Sequence, residues 1–225
     1  MIRLHFVVEG QTEETFVRDV MSPHLAGFDV FADVRCVETS RTLVKVFKGG
    51  GSDYLKVKKD ISSWMKQEKG SGVYFTSMLD LYRLPENFPG YDEAKKNFDV
   101  FERVRILESS FRNDIDESGY RFIPYIQVHE FEALLFTDIT ELDKVHPMRQ
   151  KAIDNLSKMS ESFNSPELIN DNKPPSKRII AQIEEYDKLM DGPIVTAEIG
   201  IYKIREKCMH FDEWLRKLEN IKIHK

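Results

Sequence analysis

The sequence predicts an α/β core with a mostly parallel central sheet flanked by helices, followed by a helical C-terminal portion. Three observations carry that expectation. Short apolar runs at 3–8, 73–81 and 121–128 alternate with longer stretches of helical period, the pattern of a sheet whose crossovers are helices. Each of those runs stops on an acid: Glu9, Asp80 and the pair Glu130 and Glu132. Beyond Asp138 the strand signal ends and short helical segments take over. The expected division is a core over 1–138 and a helical extension packed on it over 139–225.

In chain order, the run Leu4-His5-Phe6-Val7-Val8 is a buried strand that turns at Glu9-Gly10. A helix follows with Thr12 as its expected N-cap, Phe16, Val17, Val20 and Met21 as its apolar stripe, and Pro23 near its end. A strand is expected near 28–37, where Val30, Ala32, Val34 and Cys36 alternate onto one face. Gly49-Gly50-Gly51-Ser52 reads as a flexible loop, since it lacks the Gly-Lys-Ser/Thr that closes a phosphate-binding loop. From Asp53, a possible cap, a helix runs to about Gln67 with Tyr54, Val57, Ile61, Trp64 and Met65 inward. The strand at 73–81 is almost continuously apolar and therefore central and parallel.

After the loop Leu84-Pro85-Glu86-Asn87-Phe88-Pro89-Gly90, one long helix is expected over about 92–112, its stripe formed by Ala94, Phe98, Phe101, Val104, Leu107 and Phe111. Pro124 makes the strand at 121–128 irregular or an edge. Ser165-Pro166 opens one later helix and Ser176 another, with Ile179, Ile180, Ile183, Tyr186 and Met190 as its stripe. The last helix carries Phe211, Trp214, Leu215 and Leu218.

Composition limits the function classes. The 225 residues are 41% hydrophobic and 32% charged, which fits a folded globular chain and not a disordered one. No apolar run approaches the roughly 20 residues of a membrane helix. Cys36 and Cys208 stand far apart without metal-knuckle spacing, so a reducing cytoplasm is the expected setting. The net charge of −5 argues against a protein that coats nucleic acid through overall positive charge. Charge is uneven, however: Arg35, Arg41, Lys45, Lys48, Lys56, Lys58 and Lys59 face only Glu38 and Asp53 in that stretch. It could guide a phosphodiester or simply form a solvated helix face.

The acids carry the chemistry. In a parallel open sheet the strand ends lie along one edge, where ligands bind. Glu9, Glu13, Asp80, Glu130 and Glu132 gathered there are hard oxygen donors suited to Mg²⁺ or Mn²⁺. Glu9 could instead only accept N–H bonds of its turn, and Glu13 and Glu14 suit a first helical turn anyway. If 129–132 is extended, Glu130 and Glu132 face the same way; if helical, they lie about 200° apart and only one could be a ligand, Glu130 being nearer the strand end. His129 could orient a water or phosphate or be a structural histidine. Lys177-Arg178, after Ser176, could bind a substrate phosphate at a helix N-terminus or be a surface pair. Tyr82 could stack on a base or pack in the core.

Val8-Glu9-Gly10-Gln11-Thr12-Glu13 resembles the first motif of Toprim domains. Asp80-Leu81-Tyr82-Arg83-Leu84-Pro85, His129-Glu130-Phe131-Glu132-Ala133-Leu134-Leu135 and Pro175-Ser176-Lys177-Arg178-Ile179 resemble a bacterial Toprim-like family of unknown function, number 4276. The likeness extends to Ile204-Arg205-Glu206-Lys207-Cys208 and Trp214-Leu215. It implies a Toprim-like core related to nucleases of the overcoming-lysogenisation-defect type, with acids that bind Mg²⁺ to cut phosphodiesters. It implies such a role for Glu9, Glu13 and Asp80, nucleic acid as substrate, and a setting in bacterial defence. The usual pattern has Asp-x-Asp on the later strand; here Tyr82 replaces the second acid, and Glu130 or Glu132 could stand in for it. The alternatives are a catalytically weak module that binds nucleic acid or an adjacently encoded ATPase, and a metal-dependent nucleotide phosphohydrolase.

Overall fold

The computed structural model describes residues 1–37, 53–116, 121–169 and 173–222. The glycine run at 49–52 and three of the seven cations of the basic stretch, Arg41, Lys45 and Lys48, lie outside the described residues. Strand β1 (Ile2–Val8) pairs in parallel with β2 (Val30–Cys36) on one side and β3 (Val73–Asp80) on the other. Two short strands, β4 (Phe122–Ile123) and β5 (Ile126–Gln127), both pair in parallel with β3. The order is thus β2-β1-β3-β4 with β5 further along β3, and Pro124, which has no N–H to donate, marks the break between the two. As expected for a central parallel strand, β3 is buried along its whole length.

Alternation along β1 and β3 builds two cores. Leu4, Phe6, Val8, Tyr74 and Met78 face a cluster completed by Phe16 and Met21 and by Phe211, Trp214 and Leu218 near the C-terminus. Val7, Phe75 and Leu79 face the other, filled by Val57, Ile61, Trp64, Val104, Leu107 and Phe111. Helix α1 (Gln11–Phe16) continues through a π turn (Val17–Met21) into α2 (Ser22–Ala26), and Pro23 stands in the first turn of α2. Helix α3 (Asp53–Gln67) buries Tyr54, Val57, Ile61 and Trp64, the stripe read from the sequence. Strand β2 alternates as expected: Phe31 is exposed, while Val30 is buried and Ala32 and Val34 pack against the core.

Three local expectations are corrected. Thr12 does not cap α1; Gly10 occupies the N-cap, and the Thr12 hydroxyl donates to the Lys188 carbonyl at 3.4 Å. The long helix over 92–112 is two helices, α4 (Tyr91–Ala94) and α5 (Val100–Ile115). Phe98, placed on the stripe by periodicity, is fully exposed between them. The physical reason is a restart: the Asp99 carboxylate accepts the Phe101 N–H at 2.8 Å, which satisfies a first-turn donor and begins a new helix. The helix expected from Ser176 to Met190 is only α7 (Pro175–Ile180), with Ser176 inside it rather than capping it. Ile183 and Tyr186 are buried without being helical, and Ile180 and Met190 are exposed.

The remaining C-terminal elements include α6 (Gln150–Ser160), α8 (Asp191–Ile199), α9 (Ile201–Lys207) and α10 (Met209–Glu219). α10 is pinned by polar anchors as well as apolar ones. The Glu167 carboxylate accepts the backbone N–H groups of His210 and Phe211 at 3.1 and 3.0 Å. Trp214 stacks on Tyr125, with ring centroids 4.2 Å apart, and donates its indole N–H to Thr76 on β3 at 2.8 Å. No helix among the described residues is long and apolar enough to cross a membrane.

Candidate functional site

The parallel register of β1 and β3 pairs Val8 with Met78, so Glu9, just beyond β1, and Asp80, the last residue of β3, are neighbours at the sheet edge. Glu9 accepts the Asp80 backbone N–H at 3.3 Å through one oxygen and the Arg83 guanidinium at 3.1 Å through the other. Glu13 lies one helical turn further on, in the first turn of α1, and is buried. Burial, together with the charges of Glu9 and Glu132, pushes its carboxyl up to about 7 against opposing backbone hydrogen bonds. Asp80 is buried and held well above the ordinary carboxyl range, first by desolvation and then by Glu9, Glu13, Glu132 and Glu130.

The other two acids arrive from β5. His129 takes a left-handed φ of 70°, uncommon outside glycine, and its carbonyl accepts the Tyr82 N–H at 3.1 Å. Glu130 is extended, and a 3-10 helix (Phe131–Thr137) begins after it. The sequence left two geometries open, extended or helical; the backbone is extended at Glu130 and turns only beyond it. Both side chains are buried and reach one ammonium, Lys188, at 3.4 Å from Glu130 and 3.3 Å from Glu132. Glu130 also accepts the Ser176 backbone N–H at 2.6 Å. Burial raises the Glu132 carboxyl, while the Lys188 charge opposes the shift.

The structure therefore brings all five predicted acids into one electrostatic neighbourhood, in which Glu9, Glu130 and Glu132 have the cations Arg83 and Lys188 as ion-pair partners. Among the described residues no group of three acid, histidine or cysteine side chains stands close enough, as placed, to enclose an ion. Glu9 is turned to Arg83 and to the Asp80 N–H, and Glu130 and Glu132 are turned to Lys188. In donor chemistry the set still fits a hard divalent cation: all oxygen, largely buried, and with more negative charge than the two cations offset.

The predicted phosphate ligands sit differently. Lys177 is exposed, and the Arg178 guanidinium donates to the Lys173 carbonyl at 2.8 Å and lies over the Phe163 ring. The backbone donor at the start of α7 serves Glu130, one of the chain's own carboxylates. Glu14 is half-buried and accepts from the Cys36 thiol at 3.5 Å. Sequence reasoning missed Lys188 and read Tyr186 only as part of an apolar stripe. The Tyr186 hydroxyl is buried without a hydrogen-bond partner, packed 3.3 Å from where a Cβ on Gly192 would stand. No motif marks Lys188. Arg83 was quoted in a motif without a role, and its closeness to Asp80 in sequence was the available signal.

The family model described as "Domain of unknown function (DUF4276)" matches residues 8–219. The chain belongs to the DUF4276 family. All five acids of this DUF4276 chain lie inside the matched span. No curated protein matches it. Among solved structures it is similar to the C-terminal region of the Burkholderia pseudomallei OLD protein, with 14% identity over 97% of this chain and 99% of that one and a TM-score of 0.44. It is also similar to the C-terminal region of the Xanthomonas campestris pv. campestris OLD protein, with 12% identity over 96% and 97% of the two chains and a TM-score of 0.40.

Proposed function

We propose that this DUF4276 chain is a Mg²⁺- or Mn²⁺-dependent nuclease that hydrolyses phosphodiesters. The observation that carries the reading is the gathering of Glu9, Glu13, Asp80, Glu130 and Glu132 where β1, β3 and β5 end, with burial and mutual repulsion raising Glu13, Asp80 and Glu132. Buried like charges are costly unless a cation or proton compensates them.

Glu9, Glu13, Asp80 and Glu130, with Glu132 beside them, would hold the ion. Such an ion supplies Lewis-acid polarisation of a phosphate and an acidified water. The chain's own part is to position and to neutralise. The Glu9 carboxylate is held beside Asp80 by the 3.3 Å hydrogen bond it accepts from the Asp80 backbone N–H. Arg83 and Lys188 stand at the carboxylates as cations that can turn to a substrate phosphate once the acids are otherwise compensated. The setting in bacterial defence is implied by the motif resemblance, and it makes foreign DNA or RNA the natural substrate.

The test is cleavage of labelled DNA and RNA in Mn²⁺. Glu9→Ala and Asp80→Ala are expected to lose about 100-fold or more of the native rate; full activity in both overturns the carboxylate mechanism. A second reading, a non-catalytic module that binds a partner ATPase or nucleic acid, is favoured by two observations: Tyr82 stands where a second acid is usual, and Glu9, Glu130 and Glu132 as placed are turned to Arg83 and Lys188. Mn²⁺ titration followed by thermal melting separates the two, because stabilisation by the ion that vanishes in Asp80→Ala is expected only of the first.

A further inference from the structure

A cleft of about 230 Å³ opens beside the acids, lined among others by Tyr82, Tyr91, Lys95, Arg103, Leu107 and His129. Its position follows from the chain path. The floor comes from the turn that directly follows Asp80 and from His129, which directly precedes Glu130. The far wall comes from α4 and α5. That wall depends on Gly90, which takes a φ of 77°; a Cβ there would come within 2.9 Å of the Ser110 Cβ on α5. Only glycine lets the Tyr91 turn lie so close to α5.

The lining carries cations and no carboxylate. Several described arginines pair with carboxylates, as Arg3 does with Glu68, Arg149 with Glu185 and Arg205 with Asp212 and Glu219. Among the described residues Arg103 and Lys95 pair with none; Lys95 lies 5.9 Å from the centroid of the Tyr91 ring. Tyr82 is 61% exposed, a large ring at the mouth that contributes nothing to either core. Two unpaired cations, two aromatic rings and an apolar back wall match the chemistry that binds single nucleotides by stacking and phosphate contact.

We propose that this cleft receives one unpaired nucleotide flanking the phosphate that lies at the acids, its base against Tyr82 and Tyr91 and its own phosphate on Lys95 and Arg103. The inference rests on the nuclease reading for its orientation towards the acids. Size decides the unit: pockets that enclose drug-sized ligands run to roughly 300–1,000 Å³, and this smaller cleft takes one base. A base in a duplex is stacked and paired, so entry requires a single-stranded or splayed end. The substrate class is therefore single-stranded nucleic acid, or a duplex with an unpaired end.

The test is fluorescence-anisotropy binding of short labelled single-stranded DNA, single-stranded RNA and blunt duplex to the full chain, with chelator present to prevent cleavage. The expected result is single strands preferred over blunt duplex, with Tyr82→Ala and Arg103→Ala each weakening single-strand binding by about tenfold. Arg103→Ala also lowers the salt dependence by about one phosphate contact. Arg149→Ala, a paired surface cation elsewhere, changes neither. Thermal melts matching the native chain exclude unfolding as the cause, since Tyr82 is exposed. The DNA and RNA arms identify which polymer is bound. Undiminished binding in both cleft variants, or no binding by the native chain, overturns the cleft whatever the cleavage assay gives. Cleavage that persists in Glu9→Ala and Asp80→Ala overturns the carboxylate mechanism, and absence of cleavage by the native chain in Mn²⁺ overturns the nuclease; in either case binding that still depends on Tyr82 leaves the cleft a nucleic-acid site.

Discussion

Glu13 shows at the scale of one residue how the site stores charge. Its carboxyl, ordinarily at 4.5, sits at about 7 in the fold because burial beside other acids disfavours ionisation. The folded chain therefore binds more protons than the unfolded chain between those two values. The contribution of this group is fully present below about 4.5 and is lost as pH rises through about 7. Glu13→Gln mimics the protonated form and removes that loss. In chelator, the variant is expected to match the native chain near pH 5 and to exceed it at pH 8, by on the order of 3 kcal/mol at most. Urea unfolding at the two pH values checks this; an equal difference at both shows that Glu13 is not held protonated. At this scale Glu9 and Asp80 were legible because each follows an apolar run directly, and Glu13 because it stands four residues after Glu9 across the same turn. Lys188 was not, because a lysine off the apolar stripe of an acid-rich segment has nothing local to distinguish it from a solvated one.

At the scale of elements, the expectations that failed are those in which a local cap or turn overrode periodicity. Ala94, Val104, Leu107 and Phe111 are buried as their spacing predicts, yet the helix that would carry them all is cut, because Asp99 caps a new start and Gly90 sets the turn before α4. The stripe was legible and the break was not, since Asp99 reads equally well as a surface residue on one continuous helix. Gly90→Ala tests the turn. A methyl group there meets both an unfavourable positive φ and the Ser110 side chain, for an expected loss of about 1–3 kcal/mol. Ser110→Gly in the same background is expected to recover the collision but not the backbone strain. Full stability of Gly90→Ala alone would mean that the turn rearranges freely. The stretch 129–132 teaches the same lesson: neither a uniform strand nor a uniform helix, it places Glu130 and Glu132 on one ammonium because the backbone changes state between them.

At the scale of the molecule, the two faces of the sheet are sealed by different parts of the chain. Trp64 from α3 fills one core and Trp214 from α10 the other. The C-terminal helices thus complete the core that β1 and β3 begin, and the whole is expected to unfold in one transition. Trp64→Phe leaves Trp214 as the tryptophan reporter for one face. Its fluorescence midpoint in urea should coincide with the far-ultraviolet circular dichroism midpoint, and a separate, earlier loss of the Trp214 signal would overturn the shared core. The α/β pattern, the central burial of β3 and the acids that end the strands were readable along the chain, because alternation, strand length and an acid after an apolar run are local signals. The fold alone brings Arg83 and Lys188 to those acids, ties Arg178 to the Lys173 carbonyl, and sets a cationic cleft beside them. Those depend on which distant segments meet at one sheet edge, and charge pairing across a fold leaves no periodic trace in the chain.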